Sequence, residues 1–341
     1  MSRRKQVLQN VFLLLITLFF CFFVAELLFR SLFPLHVNDR YGWIRNEAAS
    51  DVVRVHDDAG WWRNVTVNYT DHGFKRWGDL NASNKVLIIG DSYTEMRFVN
   101  NDEEWYAYLE RAYPDASFFV HGTGGFGTLQ EYLVLDEFVD EINPDVVIWQ
   151  FYFNDFANND FIADSNEYPM NNYGLRPYLE SGVIIKRYPA PLSWLRSRSR
   201  LAEVALQQYD AHVREKTAGQ LFNFYQQRYG KDFWNHDFSN ANIYEGRFPE
   251  VLDTTTTILQ MGRARTNATI YLLSADNRLA WAEERMCASA NITYIPAVYD
   301  LLLKEKRSGR NPFVIDDGHW NQHGNKVVGE FLVDYFNGTL A

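Results

Sequence analysis

The sequence predicts an α/β domain in which a mostly parallel sheet is covered by helices on both faces. Short apolar segments that suit buried parallel strands recur along the chain, and segments with helical periodicity lie between them. This alternation puts a helix between consecutive strands, as parallel sheets require. The chain has 341 residues, 47% of them hydrophobic, which is enough for a sizeable core.

The amino terminus predicts a membrane anchor. Basic residues at positions 3–5 precede an apolar run, Val11–Phe29, which is interrupted only by Thr17 and Glu26. As a helix the run spans about 28 Å, close to the hydrocarbon thickness of a bilayer. A signal peptide would have a shorter apolar region and a small-residue cleavage site. We therefore expect residues 1–34 to form a cytoplasmic tip and an uncleaved anchor, with the remainder extracytoplasmic, in a periplasm, a lumen or the extracellular space.

After the anchor, residues 35–84 have few long apolar runs and are predicted as an irregular lead-in that packs on the domain, which occupies residues 85–341. Within the domain five apolar runs are predicted as strands: Val86–Ile89, Ser117–Val120, Val146–Phe151, Thr269–Leu273 and Ile292–Ile295. Four segments are predicted as helices: Glu104–Tyr113, Leu129–Ile142, Leu279–Ala288 and Gly324–Phe336.

Residues 156–250 interrupt this alternation. They contain no evident parallel strand, many aromatic residues and a long helical pattern from Leu192 to Tyr229. A segment of this length is too long for a structureless loop, so we predict a mostly helical insertion beside the carboxyl edge of the sheet. Such a position would let it shape a substrate site.

Charge and cysteine content exclude some classes of function. The formal net charge is −10, and the absence of a clustered Lys and Arg surface argues against nucleic acid as a partner. Cys21 lies in the apolar run and Cys287 is alone in the body, so no disulfide framework is indicated. Possible glycosylation triplets, compatible with an extracytoplasmic face, begin at Asn64, Asn68, Asn81, Asn267, Asn291 and Asn337.

The first predicted strand ends in Gly90-Asp91-Ser92, which would present a hydroxyl at the carboxyl edge of the sheet, where α/β proteins bind ligands. A Ser hydroxyl needs a neighbouring base to act as a nucleophile, and His319 could supply it. The His in turn needs a carboxylate, for which Asp316 and Asp317 are both candidates. Backbone N–H groups and side-chain amides after other strands would stabilise a tetrahedral oxyanion. Asp91 and Asp155 are expected to hold backbone turns.

Two other motifs compete with this interpretation. Gly122, Gly124 and Gly127 form G-x-G-x-x-G, but no acidic residue ends the next strand, as a dinucleotide site would require. His319 and His323 have the spacing of a zinc-binding pair, but Trp320 stands where a metalloprotease has its Glu. We therefore expect neither a metal nor an organic cofactor, and His323 to be a surface or packing residue.

Taken together, four blocks resemble those of the SGNH, or GDSL-like, hydrolases, in the order of that family. These are "GDSYTE", "GTGGFGT", "YFND" and "DDGHWN", and the family's residues would be Ser92, Gly125, Asn154 and His319. "DHGFKRW" and "LRPYLESGVIIKRYPAP" are similar to segments of its membrane-anchored members. The resemblance implies a flavodoxin-like three-layer sandwich, with the backbone N–H groups of Ser92 and Gly125 and the amide of Asn154 as oxyanion donors.

The resemblance also bears on the acid of the triad. Many family members place the acid three residues before the His, which gives Asp316, whereas members with a His-Trp pair place it two before, which gives Asp317. This chain has His319-Trp320, which favours Asp317 and leaves Asp316 as the alternative. Tyr93 departs from the family, in which Leu usually follows the Ser.

The sequence thus predicts a serine esterase that cleaves an oxygen ester through an acyl-enzyme on Ser92. Its substrate would be an ester, for which acylated carbohydrates and lipids are both candidates. One alternative is an O-acyltransferase that passes the acyl group to a cell-surface or secreted polysaccharide. The other is a catalytically silent surface protein that binds glycans or a partner, because a fold alone does not assign a function.

Overall fold

A parallel sheet with helices on both faces forms the body of the molecule. The computed structural model describes residues 3–32, 37–38, 41–43, 49–56, 61–166, 175–210, 212–213, 247–276, 279–296, 298–315 and 317–340. The strands in chain order are β1 (Val37–Asn38), β2 (Gly42–Trp43), β3 (Ala49–His56), β4 (Trp62–Tyr69), β5 (Lys85–Gly90), β6 (Ser117–Gly122), β7 (Val146–Phe151), β8 (Arg176–Glu180), β9 (Val183–Arg187), β10 (Thr269–Ser274) and β11 (Thr293–Ile295).

The helices complete the layers. In chain order they are α1 (Arg3–Leu32), α2 (Ser92–Glu95), α3 (Trp105–Ala112), α4 (Thr128–Ile142), α5 (Asn154–Asn158), α6 (Phe161–Asn166), α7 (Ser193–Arg196), α8 (residues 200–210), α9 (Phe248–Arg265), α10 (Ala280–Ala290), α11 (Val298–Arg307) and α12 (Gln322–Tyr335). All five strands and four helices predicted for the domain are present, with ends that differ by a few residues.

The central sheet has the strand order β6-β5-β7-β10-β11, and every neighbouring pair is parallel. In chain order this is 2-1-3-4-5, the flavodoxin-like arrangement. Successive side chains of β5 enter opposite layers: Leu87 and Ile89 pack with α4, α9 and α10, whereas Val86 and Ile88 pack with α3, α11 and α12. The predicted three-layer sandwich is therefore confirmed, and its two buried faces explain why the strands are continuous apolar runs.

The topology creates a crevice at one point of the sheet. After β5 the chain moves to one side to form β6, then crosses back to form β7 on the other side of β5. The connections that leave β5 and β7 therefore diverge at the carboxyl edge, at the kind of position where α/β proteins bind ligands. Ser92 follows β5, and Asn154 follows β7.

The lead-in is more regular than the sequence analysis predicts. Residues 49–69 contain an antiparallel hairpin, β3–β4, in which eight residue pairs are in register. The prediction of an irregular segment is wrong here because it relied on continuous apolar runs. In β4 the buried residues Val65, Val67 and Tyr69 instead alternate with exposed ones, which is the pattern of a strand with one covered face. The hairpin packs on the domain, where the side chain of Asn101 bonds both the N–H and the C=O of Asn68.

The described part of the insertion contains α6, α7, α8 and an antiparallel hairpin, β8–β9, that the sequence analysis does not predict. Arg176 at the start of β8 is buried, pairs with Asp164 at 3.2 Å and donates to Gln130 Oε1 of α4 at 2.6 Å. These contacts fasten the insertion to the sheet domain. The predicted helical pattern from Leu192 to Tyr229 agrees with α7 and α8 as far as position 210, and its end lies outside the described residues.

Helix α1 is long and apolar enough to cross a membrane. Its apolar part, Arg4–Leu32, has a mean hydropathy of 2.8 in its most apolar window, and none of that window is buried in the protein. Near its carboxyl end one face is partly covered, at Ala25, Glu26 and Phe29. Among the described residues, the last turns of the helix contact the segment Arg198–Leu201.

Candidate active site

The turn after β5 is held by hydrogen bonds to the neighbouring strand β7. The Oε1 atom of Gln150 on β7 accepts hydrogen bonds from the N–H of Asp91 (3.1 Å) and the hydroxyl of Thr94 (3.0 Å). Gly90 is required here because an added Cβ would lie 2.4 Å from both Gln150 Oε1 and Thr94 Oγ1. The turn thus joins the two strands that border the crevice and delivers Ser92 at its mouth.

Ser92 begins the short helix α2. Asp91 caps this helix by accepting a 2.9 Å hydrogen bond from the N–H of Tyr93, as the sequence analysis predicts for its turn-holding role. Asp91 is fully buried, and burial raises its pKa to about 6, against the opposing effect of the Tyr93 hydrogen bond. The cap and helix leave the Ser92 side chain at the start of the first turn.

A second loop brings His319 to the same place. The N–H of Val314 donates to the carbonyl of His319 at 2.9 Å, and Phe313 and Trp320 form an antiparallel bridge. Trp320 is fully buried between the sheet and α12, which begins at the next turn with Asn321 as its cap. The loop is therefore closed on itself and fixed to the core on the carboxyl side of the histidine.

Ser92, His319 and Asp317 form a continuous hydrogen-bonded chain. The Nε2 atom of His319 lies 2.7 Å from Ser92 Oγ, although the two residues are 227 positions apart. The Nδ1 atom of His319 contacts Asp317 Oδ1, which also accepts a 2.9 Å bond from the backbone N–H of His319. A carboxylate at Nδ1 favours the tautomer with its proton on Nδ1, so Nε2 is left as the acceptor for the Ser92 hydroxyl.

The electrostatics of this chain favour a charged histidine. Burial by itself would lower the pKa of His319, but the hydrogen bond and the charge of Asp317 raise the pKa above its usual value. Burial by itself would raise the pKa of the Asp317 carboxyl, but its interactions with His319 lower that pKa below its usual value. The pair can thus stabilise an imidazolium, while the 24% exposed His319 side chain remains open to a ligand.

Aromatic residues fix the position of the imidazole. The ring of Tyr93 stacks on His319 with a centroid distance of 4.7 Å, and its hydroxyl donates to the carbonyl of Gly318 at 3.0 Å. The ring of Phe98 also lies beside the imidazole, with a centroid distance of 5.1 Å. Tyr93 therefore connects the helix of the serine to the loop of the histidine.

The loop after β6 approaches α2 closely. At Gly122 an added Cβ would lie 2.3 Å from the backbone nitrogen of Glu95, and at Gly124 it would lie 3.7 Å from Ser92 Cβ. Gly125 has φ = +78°, a conformation that favours glycine. Glycine occurs at these positions because the loop packs closely on α2 and turns at Gly125.

The three amide donors predicted from the sequence follow the ends of β5, β6 and β7. Within the described part of the chain, the backbone N–H groups of Ser92 and Gly125 donate to no other protein group. The side-chain N–H₂ of Asn154, at the start of α5, donates to Asn158 at 3.1 Å, which uses one of its two hydrogens. A contact at 4.6 Å between the rings of Tyr152 and Tyr93 joins the end of β7 to α2.

The remaining predicted residues lie elsewhere. His323 pairs with Glu305 at 2.9 Å on the surface of α12 and α11, so it belongs to a different contact from His319. Asp155 is buried and accepts a bond from the N–H of Tyr152 at 3.3 Å, in the turn-holding role that the sequence predicts. Asp316 lies outside the described residues. Among the described residues, no group of three or more His, Cys, Asp and Glu is suited to hold a metal ion.

Three residues at the site have no sequence signal that identifies them. Glu95 accepts bonds from the Gly124 N–H and the Tyr69 hydroxyl, at 2.8 and 2.7 Å. Gln150 holds the serine turn, as described above. Arg176 comes from the insertion, and an added Cβ at Gly125 would lie 4.0 Å from its Nη2 atom. Gln150 lies on a predicted strand, whereas α2, which carries Glu95, is not among the predicted helices. The contacts of both residues join separate segments of the chain and could not be inferred from spacing.

No protein-family model matches this chain, and no curated protein matches it. Among solved structures, the chain is similar to a member of the lipolytic protein G-D-S-L family from Veillonella parvula, with 11% identity and a TM-score of 0.40 over 75% of this chain and 99% of that chain.

Two further similar structures are esterases. A catalytic mutant of an acetylxylan esterase from Geobacillus stearothermophilus has 12% identity and a TM-score of 0.37, over 74% of this chain and 94% of that chain. A psychrotrophic esterase from Pseudoalteromonas sp. has 11% identity and a TM-score of 0.40, over 76% and 99%. At these values, the similarities do not by themselves assign a reaction to this chain.

Proposed function

We propose that this chain is a membrane-anchored serine esterase that cleaves an oxygen ester through an acyl-enzyme on Ser92. The observation that carries the proposal is the 2.7 Å contact of Ser92 Oγ with His319 Nε2, together with the contact of His319 Nδ1 with Asp317. A nucleophile, a base and an orienting carboxylate in one hydrogen-bonded chain have the geometry of nucleophilic acyl transfer.

In the first half of the reaction Ser92 Oγ attacks the ester carbonyl as its proton passes to His319 Nε2. The Asp317 carboxylate stabilises the imidazolium that forms. When the tetrahedral intermediate collapses, the bond to the alcohol oxygen breaks, and His319 returns the proton to that oxygen. In the second half His319 takes a proton from water, the hydroxide attacks the acyl-enzyme, and Ser92 is released with its proton restored.

The oxyanion of each intermediate would be held by the N–H groups of Ser92 and Gly125 and by the amide of Asn154. The two backbone donors have no protein partner within the described residues, which supports their availability. The Asn154 amide has one hydrogen free of its bond to Asn158. Loss of a single donor of this kind typically lowers turnover by about a hundred- to thousandfold.

The anchor gives the proposal a location. Helix α1 begins with the basic residues at positions 3–5, which by the positive-inside rule would remain in the cytoplasm. The catalytic domain would then act on esters outside the cytoplasm, at a membrane surface.

The test is the hydrolysis of p-nitrophenyl acetate and butyrate by the full chain in detergent. We expect turnover by the native chain and its loss, by about a thousandfold or more, in Ser92→Ala and His319→Ala. Two matched controls, Ser308→Ala and His323→Ala, remove an exposed serine and a histidine that pairs with Glu305, and should retain turnover. The proposal fails if the native chain neither turns over these esters nor reacts with a fluorophosphonate at Ser92.

An esterase and an acyltransferase would form the same acyl-enzyme, and they differ in the acceptor of the acyl group. If water resolves it, incubation with an acyl donor and an oligosaccharide releases free acid. If a sugar hydroxyl resolves it, the product is an acylated sugar, and the chain is an acyltransferase. A silent binding protein would neither form the acyl-enzyme nor lose binding in Ser92→Ala.

A further inference from the structure

A short segment of the insertion is bound to the end of the membrane helix. The carboxylate of Glu26 accepts hydrogen bonds from the N–H groups of Arg200 (2.7 Å) and Leu201 (3.0 Å), and from the hydroxyl of Ser199 (2.9 Å). Arg30, one turn later, donates to the carbonyl of Arg198 at 3.1 Å. Glu26 thereby caps α8, and its charge meets the positive end of that helix.

The contacts with Glu26 fix the depth of residues 198–201 relative to the bilayer. Glu26 lies three residues before the end of the apolar run, which is about 4.5 Å along a helix. If α1 spans the bilayer, as the proposed function assumes, Glu26 lies near the boundary of the hydrocarbon. The residues 198–201 that bind it must therefore lie at the level of the lipid headgroups.

The segment next to this contact is held by an ion pair and a hydrogen bond. Arg196 forms a buried ion pair with Asp210 of α8 at 2.7 Å and donates to the carbonyl of Pro191 at 2.9 Å. Leu192, just before α7, has φ = +59°, a left-handed conformation that is strained for a residue with a Cβ. The chain thus holds a costly turn in place between two anchoring contacts.

This turn presents apolar side chains outward. Leu192 is 49% exposed and Trp194 is 59% exposed, while Arg198 beside them is also exposed. Trp is enriched at the headgroup level of bilayers, where its ring is apolar and its N–H can bond, and Arg attracts lipid phosphates. Burial of the Leu192 and Trp194 side chains in the bilayer interface would remove apolar surface from water and offset the strain of the turn.

We propose that residues 191–198 are a membrane-docking surface, with Leu192 and Trp194 inserted at the headgroup level and Arg198 against lipid phosphate. Together with the Glu26 cap, this surface holds the catalytic domain in one orientation on the bilayer. The inference rests on the membrane-spanning role of α1 in the proposed function, and it does not depend on the reaction at Ser92.

The test uses spin labels on the full chain in lipid nanodiscs. Native Cys21 reports on the apolar helix, since it is exposed whereas Cys287 is buried. In a Cys21→Ala background, Trp194→Cys reports on the proposed surface and Trp281→Cys, which replaces an exposed Trp on α10, is the matched control. The measured quantity is the accessibility of each label to oxygen relative to a water-soluble nickel chelate.

We expect labels at 21 and 194 to favour oxygen and the label at 281 to favour nickel. Glu26→Ala should shift the label at 194 towards nickel without changing the label at 21. A label at 194 that matches the label at 281, or that is shielded from both reagents as it would be under a protein partner, overturns the inference. If the label at 21 favours nickel, the membrane-spanning premise itself fails and the inference falls with it, whatever the esterase assay shows.

Discussion

The Glu95 carboxylate accepts a 2.8 Å hydrogen bond from the backbone N–H of Gly124, the residue before the proposed oxyanion donor Gly125. Its other oxygen accepts the Tyr69 hydroxyl at 2.7 Å, so the lead-in hairpin, the serine helix and the glycine loop meet at one buried side chain. The bond occupies the Gly124 N–H, and in the proposed mechanism the neighbouring Gly125 N–H would bind the oxyanion. We therefore propose that Glu95 is a positioning residue.

Glu95→Ala should lower kcat by about tenfold to a hundredfold with a smaller change in KM, because a misplaced oxyanion donor weakens binding of the transition state more than of the substrate. Glu95→Gln keeps an acceptor oxygen for Gly124 and should restore most of the rate. The measurement is steady-state kinetics on p-nitrophenyl acetate. Equal losses in both variants, with folding intact, would contradict a role through this hydrogen bond.

The rate should rise with pH through the pKa of His319. Because its bond with Asp317 raises that pKa, the midpoint of kcat/KM should lie above the usual value of about 6.5. The same shift makes protonated His319 stabilise the fold below about pH 6.5, a contribution that is lost as the pH rises through the raised pKa. A profile that is flat between pH 5 and 8 at limiting substrate would contradict His319 as the base.

Asp317→Asn should lower kcat by about a hundred- to ten-thousandfold, since the amide neither fixes the tautomer nor stabilises the imidazolium. It should also move the midpoint of the pH profile downward, because the charge that raises the His319 pKa is gone. Asp316→Asn is the matched control, one position away with the same change of charge, and should leave both quantities near those of the native chain. If the losses occur in Asp316→Asn instead, Asp316 is the acid of the triad.

Gly122→Ala should disturb the site through crowding. The added methyl group would meet the backbone of Glu95 at 2.3 Å, in the turn after Ser92, and overpacking of this kind costs about 1–3 kcal/mol. Gly309→Ala is the control, because φ is +90° there but no atom lies within 4 Å of an added Cβ. Chemical denaturation should give a loss of stability in both, whereas kcat per folded molecule should fall only in Gly122→Ala.

The fold was predictable because its signals are local. A strand with both faces buried, such as β7, must be a continuous apolar run, and β5 must end in a glycine because a Cβ has no room there. The β3–β4 hairpin is not predicted because its strands are not continuous apolar runs. Only one of its faces is covered, so its signal is a weaker alternation that a search for apolar runs overlooks.

By itself the sequence determined the five strands of the central sheet and four of the helices around it, the long apolar helix and the four blocks from which the candidate site is drawn. Local patterns suffice for these, because burial and helical periodicity act on residues that are neighbours in the chain. Only the tertiary structure decided that Ser92 and His319 meet, that Glu95 holds Gly124 and that Glu26 caps α8. Those contacts join distant segments, and their existence depends on strand order and on how the insertion packs, which no spacing in the sequence encodes.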